Sequence, residues 1–146
     1  MTNYEKLFLR DLDRLTNELA AFSSEEKLWD RPGEVNNSAG NLAMHLCGNL
    51  SHFVGHILGK TDYVRNRPFE FEGKRSLQEI QEEIQKTKAA ISHSFAQLSP
   101  NDLEKTYPIE VFGEPMTTDF FLLHLSGHLN YHLGQISYYR RILDAK

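Results

Sequence analysis

The chain has 146 residues, of which 40% are hydrophobic and 11% aromatic, and it carries a formal net charge of −4. This length and composition are typical of one folded domain with a substantial core, so we expect a single domain over residues 1–146. The same values exclude a disordered chain, and the negative charge argues against a nucleic-acid-binding protein, which usually presents a basic face.

The first predicted helix covers residues 4–22, where apolar side chains recur at helical spacing opposite a charged face. A short turn over residues 23–33 separates it from the second predicted helix. That helix begins at Asn37 or Ser38, both of which favour the N-cap position, and it ends near Gly59.

A long connection is predicted over residues 59–75, which carry turn and charge signals without a sustained period. Ser76 then caps the third predicted helix, which reaches about Leu98. Short links favour antiparallel neighbours, whereas a connection of this length permits a crossover along a bundle.

Residues 104–120 alternate in polarity around a turn at Gly113 and predict a small hairpin. The fourth predicted helix is capped by Thr117 or Thr118 and continues to about Leu143. Four helices of this length fill most of the chain, which predicts an all-α protein built as a four-helix bundle.

Cys47 is the single cysteine, so an intramolecular disulfide and a thiolate-based zinc motif are both excluded. The start of the chain is charged and lacks the apolar core of a signal peptide. No segment approaches the roughly 18 consecutive apolar residues of a membrane span. We therefore expect a cytoplasmic protein without membrane or nucleic-acid partners, in which Cys47 is a small core residue.

Most of the histidines are concentrated on the second and fourth predicted helices. Three on the fourth helix follow one another at intervals of four residues, so each lies only about 40° around the axis from the last. The second helix carries three more, and in a bundle two such stripes can face one another. The six residues are His45, His52, His56, His124, His128 and His132.

Such stripes predict a metal site, because an i,i+4 pair can hold one ion and a third imidazole can come from another helix. Three protein ligands plus water is the pattern of catalytic zinc, and imidazole ligands also suit nickel, iron or copper. Spacing alone does not choose the pair. His124 with His128, His128 with His132, and His52 with His56 satisfy it equally.

Two segments favour one of these pairs: "NLAMHLCGNL" on the second helix and "HLNYHLGQISYYRR" on the fourth. They resemble the DinB-like (DinB/YfiT) superfamily of four-helix-bundle metalloproteins. In that family a helix-two histidine and an H-x-x-x-H pair, which ends just before a Gly-Gln step, bind a divalent metal. The resemblance therefore implies that His45, His128 and His132 bind a divalent ion, with zinc or nickel as the expected metal.

The resemblance covers nearly the whole chain and implies an up-down-down-up bundle with its long connection between helices two and three. Members include thiol-dependent S-transferases, isomerases and metal-dependent hydrolases. This implies a metal-dependent enzyme with a small-molecule substrate, such as a low-molecular-weight thiol, and a homodimer. The alternative is a non-catalytic or stress-related bundle with a structural ion. Leu133 stands where members often carry arginine, so no role of that arginine carries over.

Several neighbours of the predicted ligands have open roles. His124 could line a pocket or hydrogen-bond a ligand, or it could be a surface residue near the helix end. Asn49 and Gln135 could orient a ligand imidazole through its other nitrogen, or they could be ordinary helix-surface amides. The roles of His52 and His56 stay open, and no residue is assigned as a general base.

Four glycines interrupt the two histidine-bearing helices: Gly48, Gly55, Gly127 and Gly134. Each costs about 1 kcal/mol relative to alanine in a helix interior, so a compensating role is expected. They predict that the two helices approach each other closely, and the competing interpretation is a dimer interface that uses the same small residues.

Overall fold

The computed structural model describes residues 2–144, and within them the chain is all-helical, which confirms the predicted class. A 3₁₀ helix at Glu25–Trp29 follows the first α-helix, and a π-helical segment at Ser51–Leu58 continues directly from the second. The α-helices are α1 (Asn3–Ala20), α2 (Ala39–Leu50), α3 (Arg67–Glu72), α4 (Leu77–Gln97), α5 (Pro100–Glu104) and α6 (Thr118–Leu143).

Three of the predicted caps lie where the sequence indicated. Ser38 caps α2, Ser76 caps α4 and Thr117 caps α6, and each side-chain oxygen accepts a hydrogen bond from a backbone N–H in the first turn. The Ser76 cap is reciprocal, because the Glu79 side chain accepts a hydrogen bond from the Ser76 backbone N–H at 2.7 Å.

The long connection contains the short helix α3, which the sequence did not predict. Six residues are too few to show a helical period, so only local signals could have revealed it. Asn66 accepts a hydrogen bond from the Phe69 backbone N–H, and Pro68 occupies the first turn. Helix α5 was not predicted either, because it is also too short to show a helical period.

The predicted hairpin around Gly113 is reduced within the described residues to one isolated antiparallel bridge between Thr106 and Thr117. Gly113 has a φ of 81°, which glycine adopts without strain. The buried Tyr107 hydroxyl donates to the Phe53 carbonyl oxygen at 2.7 Å. This bond fixes the segment before α6 against the π-helical segment.

The four long helices enclose one core: α1 packs against α4 and α6, and α2 also packs against α4 and α6. Polar contacts support this packing, because Asn130 on α6 donates to the fully buried Asp11 on α1 at 2.7 Å. The short helix α3 packs against α2. None of the helices in residues 2–144 is long and apolar enough to cross a membrane.

The glycines do not bring α2 and α6 together, so that prediction is wrong. A Cβ at Gly127 or Gly134 would meet no atom within 4 Å, which places both glycines on an open face of α6. Gly48 faces α3 instead, and Gly55 faces Ala90 of α4. Mid-helix glycines look alike in a sequence whichever side of the helix they occupy.

We expect Ile84→Ala to lower the free energy of unfolding by about 3 kcal/mol, because it leaves a cavity in the core. Ile84 is fully buried on α4. Val64→Ala is the control, since Val64 is 85% exposed and should change stability by less than about 0.5 kcal/mol. Urea denaturation followed by circular dichroism measures both values, and equal effects would contradict the described core.

Candidate metal centre

Three histidines from two helices meet at one place between α2 and α6. His45 comes from the middle of α2, and His128 and His132 stand one turn apart on α6. One ring nitrogen from each lies within 4.8 Å of the other two, and in residues 2–144 this is the one such group of three or more histidine, cysteine or acidic side chains. The Nε2 atoms of His45 and His128 are 3.1 Å apart.

Hydrogen bonds behind two of these rings direct their Nε2 lone pairs into the cluster. His45 donates from Nδ1 to Glu70 Oε1 at 3.0 Å, because an ionised carboxylate can only accept. His132 Nδ1 lies 2.7 Å from Gln135 Oε1 and donates to it. In both rings the proton is on Nδ1, which leaves Nε2 free to bind a metal.

The donor set fits a divalent metal ion. Burial, with the neighbouring imidazoles, lowers the pKa of His128 to about 3, and burial also lowers the pKa of His132. Both rings are therefore neutral near pH 7, which is the form that binds a metal. The 3.1 Å separation of the His45 and His128 nitrogens is close to the N–N edge of about 3.3 Å in a tetrahedral zinc site with Zn–N bonds near 2.05 Å.

Glu70 and Arg65 complete the centre, and sequence reasoning missed both. Glu70 is 4% exposed, and it accepts hydrogen bonds from Arg65 Nε and Nη2, both at 2.9 Å. Burial acts to raise the pKa of Glu70, but the hydrogen bonds from Arg65 and His45 outweigh it and hold that pKa below its ordinary value. The carboxylate is therefore ionised while it orients His45.

Gly48 is the one signal in the sequence that could have indicated Glu70. A Cβ at Gly48 would collide with the Glu70 carboxylate, so the α2 backbone must be bare at this point for α3 to dock. Gly48 lies three residues after His45, on the side of α2 that faces α3. A mid-helix glycine indicates that another part of the chain approaches closely, but it does not identify that part.

A cavity of about 230 Å³ adjoins the histidine cluster. Apolar and aromatic side chains line much of it, together with two arginines. Such a mixture of apolar walls and few polar groups is typical of small-molecule sites. The lining includes His45, Asn49, Phe53, Arg65, Arg67, Phe112, Phe121, His124 and His128.

His124 and Asn49 both lie on the wall of this cavity and outside the cluster. The His124 ring is exposed and stacks on Phe121, with centroids 5.9 Å apart. Asn49 is buried, and its Oδ1 has no hydrogen-bond partner among the described atoms. A buried polar atom is costly when unpaired, so Asn49 is a group that a ligand in the cavity could satisfy.

The remaining candidates lie apart from the cluster. His52 and His56 belong to the π-helical segment, where their rings stack with centroids 5.9 Å apart. His56 Nδ1 hydrogen-bonds to the Thr61 carbonyl oxygen at 2.6 Å. Cys47 is buried in the core, and burial raises the pKa of its thiol to about 12, so it is not a thiolate at neutral pH.

Comparison with known proteins identifies relatives of this fold. A family model described as the DinB superfamily matches residues 7–136. The crystal structure of a DinB-like protein from Bacillus cereus ATCC 10987 is similar, with a TM-score of 0.73 and 20% sequence identity over 92% of this chain and 89% of that chain. At this identity the likeness shows the fold alone. No curated protein gave a significant match.

We expect Glu70→Gln to weaken binding of a divalent metal by about 10- to 100-fold, because the neutral amide no longer strengthens and fixes the His45 imidazole. Competition with a chromophoric chelator measures the dissociation constant directly. Circular dichroism of the variant would show whether the helices are retained.

Glu72→Gln is the matched control for this substitution. Glu72 lies on the same short helix and loses the same charge, but its side chain is exposed. Unchanged affinity in Glu72→Gln together with a loss in Glu70→Gln supports the orienting role, and equal effects would attribute the loss to charge alone.

Proposed function

The chain belongs to the DinB superfamily, and we propose that it is a metal-dependent enzyme whose ion is held by His45, His128 and His132. One observation carries the proposal: three imidazoles converge beside a cavity of about 230 Å³. Zinc and nickel are the ions we propose, since both accept imidazole nitrogen readily.

The number of donors supports a catalytic ion. Within residues 2–144 the cluster includes no fourth histidine, cysteine or carboxylate. A structural zinc site usually closes all four positions with protein ligands, whereas a catalytic site keeps one for water or substrate. The cavity adjoins the His45 and His128 side of the cluster, so the open position would face it. The alternative of a structural ion would require a fourth ligand.

A divalent ion bound there would act as a Lewis acid that stabilises a substrate thiolate or a hydroxide near neutral pH. The chain's own residues orient the imidazoles and form the lining of the cavity. Glu70 and Gln135 hold two imidazoles in the binding tautomer. The aromatic residues Phe53, Phe112 and Phe121 give the cavity an apolar lining.

Thiol transfer fits the centre better than hydrolysis. Glu70 is held by Arg65 and His45, and no carboxylate is among the residues that line the cavity. No carboxylate is therefore placed to take a proton from water. A thiol with a pKa near 8.5 ionises far more readily than water at about 15.7, so it depends least on such a base. We therefore propose a low-molecular-weight thiol as the substrate of an S-transferase.

The helix directions form a second part of the proposal. We propose that α1, α2, α4 and α6 run up, down, down and up. This is supported by the side-by-side packing of α2 and α4 and by the long connection that precedes α4. Parallel neighbours need a link that returns along the bundle, and a short loop could not supply it.

A homodimer is the third part, and it rests on the outer face of α6. This face carries large exposed apolar side chains and the two glycines without neighbours. Residues 120–139 contain no aspartate, glutamate, lysine or arginine, so two copies could pack here without burying a charge. A helix that is apolar on both sides is usually covered on both. The exposed residues are Phe120, Leu123, Tyr131, Tyr138 and Ile142.

We expect untagged protein to bind about one cobalt(II) ion per chain, and His45→Ala and His128→Ala to lose it. Added 2-mercaptoethanol should give a thiolate-to-cobalt charge-transfer absorption in the wild-type protein. His93→Ala is the matched control, because His93 is exposed on α4 and lies outside the cluster. Metal content by elemental analysis and visible spectra provide the measurements.

Each outcome of this experiment separates the candidate functions. Cobalt binding with the thiolate band supports thiol chemistry at an open site. Binding without any band, at saturating thiol, would favour the structural ion. Failure of the wild-type protein to bind cobalt, zinc or nickel would overturn the metal centre itself.

For the dimer, we expect light scattering after gel filtration to give twice the 16.9 kDa chain mass. Leu123→Lys and Tyr138→Lys should elute as monomers, because the interface would have to bury an unpaired charge. Val64→Lys is the control, since Val64 is exposed outside this face. A monomeric wild-type protein at tens of micromolar would contradict the proposed face.

A further inference from the structure

The cavity beside the histidine cluster has an excess of positive charge. Its charged lining residues are Arg65 and Arg67, and no acidic side chain is among them. Arg65 is neutralised by Glu70, which lies just behind the His45 ring. Arg67 forms no salt bridge within residues 2–144, so its charge is uncompensated.

The position of Arg67 makes this charge available to a ligand. The residue opens α3 and stands one turn before Glu70, so the helix that orients His45 also presents the guanidinium. The Arg67 Cζ atom lies 5.0 Å from the Phe71 ring centroid, and this stacking leaves the N–H donors at the guanidinium edge free. Arg67 is exposed at the cavity margin, where a ligand can reach it without a buried charge being left unpaired.

A divalent ion held by three neutral imidazoles keeps its full double charge. Together with Arg67, and with Arg65 cancelled by Glu70, a loaded site would carry a clear excess of positive charge. One monoanionic thiolate would neutralise only part of it. A second anionic group on the same ligand could pair with Arg67 through a charge-assisted, bidentate hydrogen bond.

Size and surface limit the rest of the ligand. The cavity of about 230 Å³ can accommodate a short chain. Phe53, Phe112 and Phe121 give it an apolar wall. A short apolar linker between the two anionic ends fits this arrangement.

We propose that the substrate is a small anionic thiol, and that Arg67 determines this specificity by binding its carboxylate or an equivalent anionic group. The inference rests on the proposed function, because the thiolate end is assigned to the open metal position. It goes further in naming the charge of the substrate and the residue that recognises it.

The test compares two thiols of similar size, 3-mercaptopropionate and 2-mercaptoethanol, which differ in the carboxylate. Their dissociation constants for cobalt(II)-loaded protein follow from titration of the thiolate charge-transfer band and from calorimetry. We expect the wild-type protein to prefer 3-mercaptopropionate by about tenfold, which is the scale of one charge-assisted hydrogen bond. The preference should fall as the salt concentration rises.

Arg67→Gln should abolish the preference, because the affinity for 3-mercaptopropionate should fall by about tenfold more than the affinity for 2-mercaptoethanol. Arg31→Gln is the matched control, because it removes the same charge from an exposed position outside the cavity. A preference that survives in Arg67→Gln would overturn the assignment of Arg67, as would an equal loss in both variants.

The failure of this inference can be told apart from the failure of the proposed function. If both thiols give the thiolate band with equal affinity in the wild-type protein, the anionic specificity is wrong and the thiol-binding metal site stands. If neither thiol gives the band in metal-loaded protein, thiol binding itself fails and the specificity fails with it.

Discussion

The buried carboxylate of Glu70 is the constraint on which the rest of the centre depends. An ionised group that is 4% exposed is unstable in a protein interior unless it is paired and hydrogen-bonded. Arg65 supplies two hydrogen bonds and His45 a third, and Gly48 leaves the space. His45 and Gly48 belong to α2, whereas Arg65 lies just before α3 and Glu70 lies on it. These contacts hold α3 against α2, and they thereby determine where Arg67 lies at the margin of the cavity.

The same constraint decides which chemistry the centre can support. A carboxylate beside a metal site would ordinarily be a candidate general base. Here both oxygens of Glu70 are engaged by Arg65, and one also accepts from His45, so the carboxylate acts on the imidazole and not on a substrate. In the proposed enzyme, activation of a nucleophile would then come from the bound ion. A thiol needs the least additional help to ionise, which links the position of Glu70 to the proposed substrate class.

The sequence predicted the long helices because their apolar spacing and their caps at Ser38, Ser76 and Thr117 are local signals. It placed the histidines on two helices by the same logic, although choosing among the pairs required the family resemblance. It could not predict the role of Glu70, because that role depends on α3, which is too short to show a period. The contact exists only through tertiary packing, since Glu70 is 25 residues from its partner His45.

The chain has a net negative charge, whereas the charged residues that line its cavity are positive. We expect the local charge to govern binding. A net charge of −4 would repel an anion at long range, but at physiological salt such effects decay over about 8 Å. At the cavity the nearest uncompensated charge is Arg67, and an ion held by the histidines would add to it. An anion that reaches the margin would therefore be attracted. The distribution of charge selects ligands even though the total charge does not.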